Sequence, residues 1–401
     1  MQLPSMISGW ARMVRGIAVV LLTVISSPVS AAESPTSADV SAKVSAILSR
    51  ISAHDFHPIR DGFTFDRQLN KHGVASLDDQ DWRVRTLAVR DLVRLNAPGT
   101  PALVTALEDK NAHVRHVAAM VLGIIRATNA VAALEATLSE DSDSAVRSQA
   151  AIALGQIGHR ASLPVVQAVQ KDGKSRDVQH QAELAAYAIE HGMTATPELA
   201  KSCAALDEST FERVQVGKTA SDFQLADTEG KAWRLWDFRG KKPVVLTWVF
   251  ADWCPVCHGE FRELIELRQQ FEAADAQVFT LECHDLFPCR VMVGKELEPK
   301  YWFSKTSFKD SYTKNIWWPH LVDRAGVVGA EYGVQPMAFT VHAEWINRPS
   351  VVIVDKEGIA RFAYYGTFWG DRPSIHQLLE MVRSGNYSFD APKRLKAASN
   401  Q

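Results

Sequence analysis

Residues 244–257 read VVLTWVFADWCPVC, and this stretch decides the fold of the C-terminal half of the chain. The apolar run at its start is typical of a strand that is buried on both faces. Cys254 and Cys257 follow where such a strand passes into a helix. The first sulfur then lies at a helix N-terminus, whose unpaired N–H groups and dipole favour a thiolate. The motif therefore predicts thiol–disulfide exchange, in which the thiolate attacks a substrate disulfide and the second cysteine resolves the mixed disulfide.

The alternative for this cysteine pair is a structural disulfide or two inert thiols. The passage from strand to helix argues against it, because a structural pair needs no helix N-terminus beside its first sulfur. Pro255 also suits the first helical turn, where its missing N–H is not needed. We therefore expect Cys254 and Cys257 to be redox-active.

Predicted strands and helices alternate over the region that surrounds the motif. Nine of the eleven tryptophans lie between residues 212 and 384, and this change of composition marks a separate domain. Turn sequences at 227–230 and 355–358 each predict a hairpin. This order predicts an α/β domain, a mixed sheet with helices packed on its faces. The other predicted elements are strands at 244–250 and 277–282 and helices at 258–273 and 375–382.

Residues 81–200 contain an internal repeat whose units begin near Val84, Val114, Val146 and Val178, with steps of 30, 32 and 32 residues. In the first three units an arginine follows the valine, and apolar positions recur with helical spacing. One unit cannot bury its apolar stripe alone, so consecutive units must stack into an all-α solenoid. These units resemble short HEAT-like repeats of the phycobilisome-lyase type. The arginines predict salt bridges or stacking contacts at a repeated position, with a ligand-binding row as the alternative.

Three segments of the second domain together resemble a known family. They are DFQL at 222–225 with EGK at 229–231, the motif at 244–257, and RPSVVIVDKEG at 348–358. Residues 212–384 are in this respect similar to the thioredoxin-fold redoxins. That superfamily includes the alkyl-hydroperoxide-reductase/thiol-specific-antioxidant (AhpC/TSA) proteins and exported thiol–disulfide oxidoreductases. The expected fold class is multidomain, an all-α HEAT-like solenoid followed by an α/β thioredoxin-like fold.

The resemblance implies roles for four residues of this chain. Cys254 matches the nucleophile and Cys257 the resolving thiol. Pro349 matches the cis-proline that faces the cysteine pair in this fold, where a cis peptide would shape the substrate groove; an ordinary trans proline that opens a strand is the alternative. Arg348 would take the part of the peroxiredoxin arginine that stabilises a thiolate, and a surface or groove arginine is the alternative.

The sequence departs from the peroxiredoxin pattern Pro-x-x-x-Thr/Ser-x-x-Cys. Counting back from Cys254 gives Ala251 and Thr247, and counting back from Cys257 gives Cys254 and Phe250. The motif therefore favours disulfide exchange, with protein thiols and disulfides as substrates or electron donors. Two alternatives remain, a thiol peroxidase that uses Cys254 and a binding scaffold whose redox domain is catalytically idle.

Cys283 and Cys289 form a second close pair. In the strand order of a thioredoxin fold, strand 277–282 lies beside and parallel to the strand before the motif, about 4.8 Å away. Cys283 is then expected at the same sheet edge as Cys254. We hypothesise a second disulfide between Cys283 and Cys289, either a relay to the first pair or a bond that pins the insertion 283–330.

His258 and His284, which each follow a cysteine, raise the alternative of a metal site. The spacing of the second cysteine pair is loose for zinc, and the strand–helix setting already explains the first pair. We therefore expect no metal and no other cofactor. The fifth cysteine, Cys203, is expected to pack between helices, with an intermolecular bond as the alternative.

The first 31 residues predict a secretory signal peptide. Arg12 and Arg15 precede an apolar run at 16–25, and small residues follow up to an expected cleavage after Ala31. The run is about half of the ~20 residues that a spanning helix needs, so an uncleaved membrane anchor is the alternative. Export, to a periplasm if the source is a Gram-negative bacterium, would place all five cysteines where disulfides persist.

The remaining segments carry no predicted chemistry. They are a helical and irregular region at 32–80, a linker at 201–211 and a polar tail at 385–401. The chain has 44 basic and 46 acidic residues and a net charge of −2, which argues against bulk binding of nucleic acid. A protein partner is expected instead, docked on the HEAT-like repeats.

Overall fold

The computed structural model describes residues 36–56, 81–171, 175–297, 315–335, 344–366 and 372–390. The predicted signal peptide and most of the region 32–80 lie outside the described residues, as does the end of the polar tail. The chain divides into two compact units, Met1–Thr36 and Ser37–Gln401, and every element named below belongs to the second. Within the described part of the chain, no helix is both long and apolar enough to span a bilayer.

Nine α-helices precede the first strand in the described residues. They are α1 Ser37–Ala53, α2 Asp81–Leu95, α3 Thr100–Ala106, α4 Ala112–Ile124, α5 Val131–Glu140, α6 Ser144–Ile157, α7 Leu163–Gln170, α8 Arg176–His191 and α9 Pro197–Ala205. Helices α2–α8 form the solenoid predicted over residues 81–200, and α1 and α9 flank them in the chain. The helices that open successive repeats pack on one another, α4 on α6 and α6 on α8, and their partners α5 and α7 pack beside them.

The polar turn of each repeat supplies an N-cap for the helix that follows. The side chains of Asn111, Asp143 and Ser175 accept hydrogen bonds from backbone N–H groups in the first turns of α4, α6 and α8. Such caps satisfy donors that a helix leaves unpaired at its start. The repeat valines that follow, Val146 and Val178, are completely buried, so the repeat predicted from sequence is confirmed.

Two of the repeat arginines make the contacts that the sequence predicts. The Arg115 guanidinium donates to both carboxylate oxygens of Asp141, at 2.7 and 2.8 Å. Arg85 lies over the ring of Phe56, with 4.5 Å between guanidinium carbon and ring centroid. These two arginines therefore serve ion pairing and stacking within the solenoid.

The C-terminal part is built on one mixed five-stranded sheet and a separate hairpin. The strands are β1 Gln224–Ala226, β2 Ala232–Arg234, β3 Val244–Trp248, β4 Gln277–Glu282, β5 His320–Val322, β6 Ser350–Val354 and β7 Ala360–Tyr365. The strand order of the sheet is β5-β4-β3-β6-β7, with β4 parallel to both β3 and β5 and with β6 antiparallel to β3 and β7. The antiparallel hairpin β1–β2 matches the first predicted hairpin.

Both faces of the five-stranded sheet are covered. Successive residues of β3 point to opposite faces, so Val245 joins one apolar cluster and Leu246 joins the other. The first cluster also takes Phe261 and Leu378 from two helices that flank the sheet. The α/β architecture predicted from sequence is confirmed. The helices are α10 Pro255–Glu266, α11 Arg268–Ala273, α12 Leu286–Met292, α13 Val327–Glu331 and α14 Ile375–Ser384.

Candidate active site

The cysteine pair lies between the central strand and a helix, as the motif predicts. β3 ends at Trp248, and Cys254 is the N-cap residue of α10, which begins at Pro255. Cys257 follows one turn inside the helix. Both thiols are free and both residues are completely buried. The structure is therefore that of the reduced pair, enclosed within the protein.

Hydrogen-bond donors converge on the second sulfur. The backbone N–H of Phe250 donates to Cys257 Sγ at 3.3 Å, and Arg372 Nη2 donates to the same sulfur at 3.3 Å. Arg372 also donates to both carboxylate oxygens of Glu260 and, at 2.7 Å, to the carbonyl of Trp248. The guanidinium is thus fixed on three sides, with one edge presented to the thiol.

These contacts set the charge distribution of the pair. Burial and the adjacent Cys257 raise the pKa of Cys254 well above its ordinary value. Burial also opposes ionisation of Cys257, but the hydrogen bond from Cys254 and the charge of Arg372 outweigh it and lower the pKa of Cys257. The sequence predicts the thiolate on Cys254 from the helix N-terminus alone. In the structure the pKa of Cys257 is instead lowered and that of Cys254 is raised, because an N–H group and a guanidinium point at the Cys257 sulfur.

The predicted cis-proline is wrong for this structure. The described residues contain no cis peptide bond, so the bond before Pro349 is trans. Pro349 is buried directly before β6, and its carbonyl accepts a hydrogen bond from the Gly366 N–H at 2.7 Å. Trans is the lower-energy isomer of an X–Pro bond unless tertiary contacts enforce the other. The residue therefore fits the alternative, a trans proline that opens a strand.

The arginine beside the cysteines is not the one that the resemblance indicated. Arg348 donates to the Gly366 carbonyl at 2.7 Å and to Gln335 Oε1 at 2.8 Å. The guanidinium within hydrogen-bond distance of Cys257 belongs to Arg372. Arg348 thus fits the role of a buried structural arginine at the start of β6.

The predicted position of Cys283 is confirmed, but the disulfide is not formed. β3 and β4 are parallel neighbours, and Cys283 directly follows β4 at the edge of the sheet where β3 also ends. Cys283 and Cys289 are both free thiols. Each donates to a backbone carbonyl, Cys283 to Trp345 at 3.4 Å and Cys289 to His284 at 3.7 Å. Burial raises the pKa of both thiols strongly, so they remain protonated and are not poised for exchange.

Cys203 packs inside the solenoid, as predicted. It lies in α9 and is completely buried. Burial raises the pKa of its thiol to about 12. A thiol in this state is inert, so the intermolecular bond has no support among the described contacts.

A buried polar network lies beside the second cysteine pair. The two oxygens of Glu282 accept hydrogen bonds from His284 Nδ1 at 2.6 Å and from His320 Nε2 at 2.8 Å. Burial alone would raise the pKa of Glu282, but these two imidazoles lower it to about 2. Burial alone would lower the pKa of His284, but Glu282 raises it to about 9. His258, the other histidine of the weighed metal alternative, has a pKa lowered by burial to about 3.

The solenoid reaches the redox motif through a second polar cluster. Trp253, the residue before Cys254, donates from Nε1 to Glu344 Oε2 at 2.8 Å. Gln181 of α8 donates to the other oxygen of the same carboxylate. An adjoining cavity of about 110 Å³ is lined by residues of both parts of the chain, including Gln181, Asp252 and His284.

Sequence reasoning missed Arg372, Glu260 and Glu344. Glu260 carries a local signal, since it lies three residues after Cys257 and therefore near it on the helix surface. Arg372 is 115 residues from Cys257 in sequence, and Glu344 is 163 residues from Gln181. No spacing rule links residues so far apart, and only the fold brings them together.

The fold and site define a protein class, a thioredoxin-like redoxin domain with a buried Cys-x-x-Cys pair behind a helical-repeat solenoid. Comparisons with known families agree with it. The AhpC/TSA family matches residues 216–363, and HEAT repeats match residues 73–147 and 100–187.

Curated relatives support the same assignment. Thiol-disulfide oxidoreductase ResA of Geobacillus thermodenitrificans is 29% identical over 42% of this chain and 79% of its own length. Alkyl hydroperoxide reductase E of Mycobacterium tuberculosis is 31% identical, over 37% and 84% respectively. Thiol:disulfide interchange protein DsbE of Vibrio cholerae is 27% identical, over 45% and 81%. The chain belongs to the AhpC/TSA family through its C-terminal domain.

Proposed function

We propose that this chain is an exported thiol–disulfide oxidoreductase that exchanges disulfides through Cys254 and Cys257. The observation that carries the proposal is the reduced pair at the start of α10, with its charge stabilised by the Phe250 N–H and Arg372. A stabilised thiolate in a Cys-x-x-Cys pair is what disulfide exchange requires. Two of the relatives, ResA and DsbE, carry names that state thiol–disulfide chemistry.

The geometry supports a division of labour between the two sulfurs. Cys254 caps the helix and donates its proton toward the Cys257 thiolate, which acts as the base. The Cys254 sulfur then attacks a substrate disulfide, forming a mixed disulfide and releasing one substrate thiolate, which takes up a proton from solvent. Cys257 loses its proton, attacks Cys254 Sγ and releases the second substrate thiolate. The substrate disulfide gains two electrons, and the 254–257 dithiol becomes a disulfide.

Single serine variants test these roles. Cys254→Ser should abolish exchange between the reduced protein and a reporter protein that carries a disulfide. Cys257→Ser should accumulate mixed disulfides that are visible as a mass increase and are removed by dithiothreitol. Cys203→Ser is the matched control, because this buried thiol lies in the solenoid and should leave exchange unchanged. Full activity of Cys254→Ser would overturn the proposal.

The reduction potential of the 254–257 pair separates an active redox domain from an idle scaffold. An exchanging pair equilibrates with a glutathione or dithiothreitol redox buffer and yields a defined potential. If the cysteine pair neither gains nor loses its disulfide over the accessible range of potentials, the result would instead favour the scaffold. Mass mapping of alkylated protein along the titration gives the populations of both states.

A thiol peroxidase is the second candidate, and the 31% identity to an alkyl hydroperoxide reductase favours it specifically. In that reaction a cysteine thiolate takes an oxygen atom from the peroxide and becomes a sulfenic acid, and water or an alcohol leaves. Peroxide consumption with a thiol donor, together with a dimedone-trapped sulfenic acid at Cys254, would support this function. Sulfenic acid at Cys257 and not at Cys254 would show that Cys257 is the cysteine that reacts with peroxide.

Export and partner docking are further parts of the proposal. Sequencing the N-terminus of the protein recovered from its native host should give Ala32 as the first residue, whereas a retained Met1 would support the membrane anchor.

The repeats favour a protein partner because stacked helices offer extended binding surfaces. Crosslinking of the full chain in the native host, from photoreactive groups placed at exposed solenoid positions such as Ala132 and Ala136, tests whether partners are captured through the solenoid.

A further inference from the structure

Three buried side chains meet where the solenoid contacts the redox domain. They are His180 from α8, Asp252 from the segment between β3 and α10, and Glu344 from the segment before β6. One ligand atom from each lies within 4.8 Å of the other two. The three residues are 5%, 3% and 6% exposed. A histidine and two carboxylates are thus held together away from water.

The cluster is not saturated by hydrogen bonds. Asp252 Oδ2 is buried and accepts no hydrogen bond from the described residues. His180 Nε2 is 3.6 Å from this oxygen, beyond hydrogen-bond distance. Two ligands about 2.1 Å from a tetrahedral zinc ion are about 3.4 Å apart, so this separation suits a shared metal ion. Two buried carboxylates, Asp252 and Glu344, face the imidazole of His180 here, and buried negative charge without full compensation is costly, which makes a cation at this point favourable.

His284 lies beside this cluster, outside the three residues whose ligand atoms are within 4.8 Å of one another, and it offers a fourth group. Its Nε2 is buried without a hydrogen-bond partner among the described residues, and the residue lines the same cavity as Asp252 and Glu344. Its other nitrogen, Nδ1, is 2.6 Å from Glu282 Oε1. A histidine whose second nitrogen is held by a carboxylate is the common arrangement of a metal ligand, because the contact fixes the tautomer and the ring orientation.

We propose that His180, Asp252 and Glu344 bind a divalent transition-metal ion of the zinc class, and that His284 moves from the edge of the same cavity to become the fourth ligand. Glu344 retains ligand capacity, because each carboxylate oxygen has two lone pairs and its contacts to Trp253 and Gln181 use one on each. Imidazole and carboxylate ligands in fourfold coordination suit Zn²⁺. The ion neutralises the two carboxylates and joins α8 to the residues immediately before Cys254.

A neighbouring cluster shows the contrast. Glu282, Cys289 and His320 also bring possible ligand atoms within 4.8 Å of one another. Both oxygens of Glu282 already accept hydrogen bonds from imidazoles, and His320 Nδ1 contacts Thr280 Oγ1 at 2.8 Å. This group is satisfied by its own contacts and needs no ion. The metal is therefore assigned to the first cluster.

The test is metal binding by the full chain after removal of metal with a chelator. Dialysis against Zn²⁺ followed by elemental analysis should give one tightly held ion per chain, and calorimetric titration gives its affinity. With Co²⁺ as the probe, the spectrum should show nitrogen and oxygen coordination without a thiolate charge-transfer band. The double variant Asp252→Asn/Glu344→Gln should weaken binding by more than 100-fold. Glu282→Gln should weaken it by about 10–100-fold, since it only holds His284.

Two controls separate this site from its competitors. Asp177 lies on the same helix as His180 but outside the cluster. The variant Asp177→Asn should therefore retain the Zn²⁺ affinity of the unaltered chain. The variant Cys254→Ser/Cys257→Ser should also retain binding. It excludes the competing explanation that the two thiols bind the zinc ion. A rise in the unfolding temperature of the unaltered chain with added Zn²⁺ gives a second readout that does not depend on folded variants. Absence of stoichiometric binding, binding retained in the double variant, or binding lost with the cysteines would each overturn the proposal.

Discussion

Arg372 is a buried arginine whose guanidinium contacts both a carboxylate and a cysteine sulfur. Its side chain is 1% exposed, it is paired with Glu260, and it donates to Cys257 Sγ at 3.3 Å. The pairing with Glu260 leaves the Arg372–Glu260 unit close to neutral, and the N–H directed at sulfur remains a strong local donor. We infer that Glu260 holds the guanidinium in place and that Arg372 sets the charge of the pair.

We predict that Arg372→Gln raises the pKa of the Cys257 thiol by about one unit or more, equivalent to about 1.4 kcal/mol or more. The loss of a charged donor beside the sulfur is the physical reason. Thiolate absorbance in the far ultraviolet, followed against pH in the reduced protein, measures this pKa. The double variant Arg372→Gln/Glu260→Gln avoids an unpaired buried carboxylate and should show a smaller rise, because the charge of Glu260 itself raises the pKa of Cys257. Arg348→Gln is the control and should change the pKa less, so an equal effect would contradict the assignment.

The residues of the site differ in how far the sequence reveals them. Cys254 and Cys257 were predictable because one turn of helix separates them and the preceding strand fixes their setting. Arg348 was the expected arginine because it adjoins Pro349 within the motif that resembles the redoxins. Arg372 instead reaches the cysteine from just before α14, 115 residues along the chain from Cys257. Local pattern identifies the nucleophilic pair, whereas tertiary structure selects the cation.

At the scale of elements, close helix packing in the solenoid depends on small residues. A Cβ at Gly155 of α6 would lie 2.9 Å from Ala185 Cα in α8. This distance is shorter than the contacts that a Cβ atom makes with backbone atoms in folded proteins. Gly259 of α10 has no atom within 4 Å of the corresponding position. The two glycines occupy helices with opposite steric surroundings, so they form a matched pair.

We predict that Gly155→Ala destabilises the protein by about 1–3 kcal/mol, because α6 and α8 must move apart to admit the methyl group. Gly259→Ala should stabilise it by about 0.5–1 kcal/mol, because alanine loses less backbone entropy in a helix. Urea denaturation followed by circular dichroism measures both changes. Equal effects of the two substitutions would contradict the packing described here.

The contact between Glu282 and His284 at the end of β4 predicts that the stability of the protein depends on pH. Glu282 ends β4, and its pKa of about 2 means that its contribution to stability is present above its ordinary pKa and is lost as pH falls towards 2. His284 has a pKa of about 9, so its contribution is present below pH 6.5 and is lost as pH rises through 9. We expect about 3 kcal/mol of stability to disappear between pH 6.5 and 9 in metal-free protein. Urea midpoints across this range should fall for the unaltered chain and stay flatter for His284→Gln.

Elements were predictable where their sequence limits are sharp. β4 spans the predicted residues Gln277–Glu282, because these two polar residues bound a short, mainly apolar run. The predicted helix at 258–273 is instead two helices, α10 and α11, which meet at Leu267 with φ −92° and ψ 4°. No glycine or proline marks this break, so composition gave no warning. The helix also begins earlier, at Pro255, a residue that suits the first helical turn because its missing N–H is not needed there.

At the scale of the whole molecule, the solenoid and the redox domain share one apolar core. Cys283, Ala325, Ala330 and Trp345 of the C-terminal part belong to the same cluster as the solenoid interior. The sequence indicated two domains from composition and repeats, but it could not show that they bury surface against each other. A shared core predicts that the two parts lose structure together when the chain unfolds.

Asp285 is the polar counterpart of this shared core. Its carboxylate accepts hydrogen bonds from Thr196 N at 2.6 Å and from Thr196 Oγ1 at 2.9 Å at the start of α9, and from Arg324 Nε at 2.6 Å within the redox domain. We predict that Asp285→Asn lowers the free energy of unfolding by about 3 kcal/mol, because it removes one member of a largely buried charge pair.

The control for Asp285→Asn is Asp275→Asn. Asp275 pairs with Lys242 at 3.2 Å, but its side chain is 75% exposed, so the loss should stay below about 1 kcal/mol. Denaturation followed by tryptophan fluorescence reports mainly on the redox domain, and far-ultraviolet circular dichroism reports mainly on the solenoid helices. Coincident curves for the unaltered chain and separated curves for Asp285→Asn are expected, because weakening the contact lets the domains unfold independently. Separate transitions already present in the unaltered chain would show that the shared core does not couple the two parts.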